Sequence, residues 1–167
     1  MSEKITQSVI NQKVWNACDT FRGTIDAGQY KDYILTMLFL KYISDVNAEK
    51  REAYSKKYDG DEKRIERAMS HERFTVPANS SFDYLFEHNG KDNIGELINI
   101  ALEDLEEANH SKLEGVFRNI DFNSESNLGE AKDRKRRLGN LLNDFSGLNL
   151  RPSNLEGNDT IGDAYEF

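Results

Sequence analysis

Apolar residues along the chain recur mostly at spacings of three and four. Ile10, Val14, Ala17, Cys18 and Phe21 stand at i, i+4, i+7, i+8 and i+11. This is one stripe on a helix of about four turns, which Gly23 closes. Asp26 and Gln29 are spaced as a capping box. They open a second helix that carries Tyr30, Tyr33, Ile34, Met37, Leu38 and Val46 and continues to about Tyr58. Between residues 38 and 43 apolar side chains occupy nearly every side, so the middle of this helix is expected to be buried. ILTMLFL would also suit a strand, but the length of the pattern decides for helix. DEKRIERAMS (61–70) places Ile65, Ala68 and Met69 on one side of a short, exposed helix.

RFTVP (73–77) reads as extended, because Pro77 pushes Val76 out of helical geometry. Residues 79–81 form a loop, FDYLF (82–86) is a helical turn or a strand, and Asn89 with Gly90 signals a turn. Three further capping boxes follow: Asn93 with Glu96, Ser111 with Glu114, and Asn127 with Glu130. Behind the first run Ile94, Leu97, Ile98, Ala101, Leu105 and Ala108; behind the second, Leu113, Val116 and Phe117. The third begins a last long helix with Leu138, Leu141, Leu142 and Phe145, ending near Gly147. The expected fold is all-α: a bundle of about six helices with one or two short extended segments. Residues 1–147 form its body, 148–160 a polar linker containing Pro152 and Gly157, and 161–167 the opening of something further.

Composition narrows the picture. The 167 residues suit one domain, large enough to bury a sizeable core. Cys18 is the sole cysteine, which rules out an internal disulfide and suits a reducing compartment. No stretch resembles a signal peptide, and no apolar run is long enough to cross a membrane, so a soluble cytoplasmic protein is expected. The net charge of −8 comes from residues 61–130, which hold sixteen acidic against seven basic residues. Such a chain is a poor stand-alone ligand for phosphate.

Few residues suggest chemistry. No glycines are spaced Gly-x-Gly, so no phosphate or dinucleotide loop is present. His71, His88 and His110 are scattered, and Cys18 lies on an apolar stripe, so neither a metal site nor a nucleophile emerges. Glu103, Asp104, Glu106 and Glu107 read as a solvated helix face, or else a docking patch. The basic cluster is KDRKRR: Lys132, Arg134, Lys135, Arg136 and Arg137. Arg134 shares the face of Leu138 and Leu141, so its stem packs on the core edge. The others are expected in solvent, either solubilising a helix face or contacting phosphate or a partner; Lys132, Lys135, Arg136 and Arg137 are the candidates.

Taken in order, VWNACDTFRG (14–23), QYKDYILTMLFLKYISD (29–45), RFTVP, residues 94–122, LGNLLNDFSGLNL (138–150) and IGDAYEF (161–167) resemble the N-terminal helical domain of HsdM. HsdM is the modification subunit of type I restriction–modification systems. FDYLF stands where that family usually has Trp-Asp. IGDAYEF resembles the Gly-Asp-x-Tyr-Glu motif with which the family enters its methyltransferase domain, so Ile161, Tyr165 and Phe167 become candidate interdomain contacts. The resemblance implies a parent that methylates adenine N6 in DNA with S-adenosylmethionine. It implies no catalytic, cofactor or metal residue in this stretch. It also implies partners: the specificity and restriction subunits, the parent's own catalytic domain, and DNA in the assembled complex. The alternative is a free-standing acidic interaction module, for example a DNA mimic.

Overall fold

The longest helix, α1 (Ala27–Lys57), is the spine of the computed structural model. The structure describes residues 27–72, 74–117, 120–148 and 150–151, together with Gln12. The expected helix over residues 10–21, the cap at Asp26 and the segment 161–167 lie outside these residues. The first half of α1 is enclosed as its apolar run requires. Tyr33, Ile34, Met37, Leu38, Leu40 and Ile43 are buried, and so are Thr36, Lys41 and Ser44 between them. Its last two turns are mostly exposed. There α2 (Glu62–Met69) lies against it, burying Ile65 and Met69 one turn apart. A turn joins the two, with Asp59 and Gly60 at φ of 54° and 80°. Asp61 caps α2 by accepting from the amides of Lys63 and Arg64 at 3.1 and 3.4 Å.

Against α1 pack α3 (Phe82–Glu87) and α7 (Ala131–Ser146), and α4 (Ile94–Ala108) packs in turn on α3 and α7. Single turns α5 (His110–Leu113) and α6 (Glu125–Leu128) precede α7, and a 3-10 turn over Ala78–Ser80 precedes α3. The core joins Phe82 and Leu85 of α3, Ile94, Ile98, Ala101, Leu102 and Leu105 of α4, and Leu138, Leu141, Leu142 and Phe145 of α7. The fold is all-α; among the described residues no strand forms, FDYLF is helical, and residues 74–77 stay irregular. Asn109 holds that irregular segment. Its side chain accepts from the Thr75 amide and donates to the Thr75 carbonyl, both at 2.7 Å.

Several helix boundaries differ from those the spacing predicts. Asn93 starts α4 without a side-chain cap, because its backbone (φ −100°, ψ 25°) is not the extended conformation that aims a capping oxygen. The box from Ser111 does not form either: α5 already starts at His110 and stops at Leu113, leaving Val116 exposed. The predicted start at Asn127 is split by Gly129. Its φ of +88° ends α6, and α7 begins afresh after Glu130. Packing also continues past α7, into residues assigned to the linker. Leu148 and Leu150 belong to the core, the Leu150 amide donates to Asp45 at 2.7 Å, and Arg151 makes two hydrogen bonds to Glu52.

Candidate partner and nucleic-acid surfaces

The basic stretch of α7 lies on one helix but does not form one surface. Arg134 donates to the Gly129 carbonyl at 3.1 Å, and Arg137 to the Leu128 carbonyl at 2.5 Å. Both guanidinium groups therefore close the C-terminal end of α6, where the last carbonyls lack helical donors and carry partial negative charge. Half-burial of Arg134 agrees with its expected place on the core edge. Arg137 was expected in solvent and is instead half-buried, drawn in by those unsatisfied carbonyls. Lys135 is also half-buried and pairs with Asp92 at 3.1 Å, tying α7 to the loop before α4. Arg136 stays exposed, 3.5 Å from Asp133, and Lys132 is exposed. Of the four candidates, Lys132 and Arg136 thus face solvent, Arg137 is bound to the end of α6, and Lys135 is engaged in an exposed ion pair. Ile161, Tyr165 and Phe167 lie outside the described residues.

The acidic stretch is not a uniform solvated face. Glu103 and Glu107 are exposed, but Asp104 accepts from Asn79 and Glu106 accepts from the Gly115 amide. Glu103 and Glu106 line a groove of about 580 Å³ with Glu114, Asp121, His110 and Phe117. No group of His, Cys, Asp or Glu among the described residues is arranged to hold a metal ion. His88 lies against Tyr84, its Nδ1 2.7 Å from that residue's carbonyl oxygen.

A second groove, of about 340 Å³, lies between the end of α1 and α2 and is lined by Tyr58, Arg64, Arg67, Ala68 and His71. The spacing of Arg64, Arg67 and His71 at i, i+3 and i+7 was already present in the sequence as one face of a helix. Their meeting with Tyr58 depends on the reversal at residues 59 and 60. The acidic neighbours are held by α1: Arg51 pairs with Glu66 at 2.5 Å, and Tyr54 donates to Glu72. That hydrogen bond to the Glu72 carboxylate raises the Tyr54 pKa above its ordinary value.

Comparison with known proteins adds three findings. The HsdM N-terminal domain family matches residues 10–145. The type I restriction enzyme MpnII methylase subunit of Mycoplasma pneumoniae is 24% identical over 184 aligned positions, covering 95% of this chain and 34% of that protein. The crystal structure of the type I restriction–modification system methyltransferase subunit from Streptococcus thermophilus aligns with a TM-score of 0.76 at 25% identity, covering 97% of this chain and 38% of that one. The chain thus spans a little over a third of the length of these relatives.

Proposed function

The chain belongs to the HsdM N-terminal domain family of type I restriction–modification methyltransferase subunits, and from that premise we propose that it is the accessory helical domain of a DNA adenine-N6 methyltransferase subunit. In this reading it docks on the subunit's catalytic domain and on the specificity subunit, and it helps to enclose DNA. The restriction subunit is a further partner of the assembly, and the cytoplasm is its setting. The single observation that carries the reading is the family match across residues 10–145. Methylation of a base inside a duplex requires that base to be turned out and held. A domain that closes around the duplex slows its escape during that step.

S-adenosylmethionine would supply the methyl group, but the residues of this chain do not fit it. There is no Gly-x-Gly turn in the sequence and no strand among the described residues from which such a turn could enter a helix. We assign that cofactor to other parts of the subunit. The mimic reading is weaker, because Asp104 and Glu106 serve internal hydrogen bonds instead of forming a phosphate-like row.

The test compares the assembled methyltransferase with one lacking residues 1–151. The intact assembly should release a bound duplex at least about tenfold more slowly, a difference of about 1.4 kcal/mol in the barrier. Equal release rates would refute enclosure.

A further inference from the structure

We propose that the groove between Tyr58 and α2 is a phosphate-contact surface for one strand of duplex DNA, with Arg64 and Arg67 as its principal donors. The proposal rests on the functional reading above and gives the enclosing domain a specific contact.

No carboxylate lines the groove. Glu66 pairs with Arg51, and Glu72 accepts from Tyr54, so these two acids are held on the α1 side. The Arg67 side chain is exposed and has no hydrogen-bond or ion-pair partner among the described residues. Arg64 has only Asp61, at 3.7 Å, and its side chain is 70% exposed. This contrasts with α7, where Arg134, Lys135 and Arg137 are occupied within the fold.

Geometry and chemistry favour a nucleic-acid backbone. Along α2, rising 1.5 Å per residue, Arg64 and Arg67 stand one turn apart, about 4.5 Å along the axis, and His71 follows in the turn just past the helix end. One strand of a duplex presents a phosphate roughly every 3.4 Å of axis, so two long arginine side chains one helical turn apart can reach neighbouring phosphates of one strand. Guanidinium forks suit phosphate oxygens, and the Tyr58 hydroxyl adds a neutral donor. Tyr58 is stacked on Tyr54, with ring centroids 6.2 Å apart, which fixes its ring beside the groove. The chain's net charge of −8 does not oppose a local contact, since salt screens charges beyond about 8 Å under physiological conditions.

The test measures affinity of the assembled methyltransferase for a duplex across salt concentrations. It uses wild type, R64Q/R67Q, R64K/R67K and K132Q/R136Q, together with the assembly lacking residues 1–151. Each phosphate contact contributes about 0.9 to the slope of log affinity against log salt. R64Q/R67Q should therefore lower that slope by about 1.8 and weaken binding about 30-fold at 0.15 M salt, alike for every duplex sequence. R64K/R67K should keep most of the slope, and K132Q/R136Q all of it. Wild-type slope and affinity in R64Q/R67Q, while loss of residues 1–151 still speeds duplex release, would overturn this surface and leave the domain's role standing. If removing residues 1–151 changes nothing, the role itself fails and the proposal with it. Weaker association with the specificity subunit at an unchanged salt slope would give the groove to a protein partner and would also overturn the proposal.

Discussion

Lys41 is a charged side chain placed inside an apolar core. Its ammonium lies 2.9 Å from Asp45 and 5.0 Å from the centroid of the Phe82 ring, and only 7% of its side chain is exposed. Asp45 in turn accepts the Leu150 amide. Substituting Asp45→Ala removes both the counter-charge and that acceptor, and should cost about 3 kcal/mol, because it strands a desolvated ammonium. Lys41→Met should cost less, since it keeps the stem's volume and leaves Asp45 bound to Leu150. Urea unfolding of the two variants checks the order. A second residue-scale constraint is Gly95. A Cβ there would lie 2.4 Å from the Phe122 carbonyl oxygen, which is backbone and yields little. Gly95→Ala should destabilise the fold by about 1–3 kcal/mol, read as a lower thermal midpoint.

At the scale of elements, the arginines of α7 differ by what surrounds them. Arg137→Met should cost about 1.5 kcal/mol and expose the amides of α6 to exchange, because a charge-assisted bond to the Leu128 carbonyl is lost. Arg136→Met, one residue earlier and exposed, should stay within about 0.5 kcal/mol of wild type. Spacing alone made much of this architecture legible: the buried middle of α1, the stripe of α4, and the apolar face of α7 down to Phe145 all follow from it. Helix starts at Asn93, Ser111 and Asn127 were not legible, because a cap depends on backbone angles as well as letters. Nor were the polar pins. Asn99 donates to Asp121 and accepts from the Phe122 amide, while Ser44 accepts from the Phe82 amide, and each pairing joins residues far apart in the chain. At the basic sites the sequence showed charge but not occupancy. KDRKRR stands out in print yet is largely engaged, whereas Arg64, Arg67 and His71 are diluted among acids, of which α1 holds Glu66 and Glu72.

At the scale of the whole molecule, the described chain ends against its own spine. Arg151 bonds both oxygens of Glu52, at 2.7 and 3.0 Å. This hydrogen bond and the Arg151 charge hold the Glu52 pKa below its ordinary value of 4.5. A carboxylate lowered in the folded state contributes fully above its unfolded value and loses that contribution as pH falls through the lowered one. The Arg151 side-chain NMR signal should therefore be constant from neutral pH down to about 4.5 and shift below it; Glu52→Gln should give the shifted signal at every pH. The same spine carries the groove at its far end. Because α1 is one unbroken helix from the core to Lys57, the stretch beyond Ile43 acts as a rigid lever of about 21 Å. A tilt of about 10° at the core end would carry its tip roughly 3.6 Å, close to one nucleotide step along a duplex strand. On the proposed reading of the groove as a phosphate contact, a small rotation of the bundle would thus be geared into a change of register on the backbone.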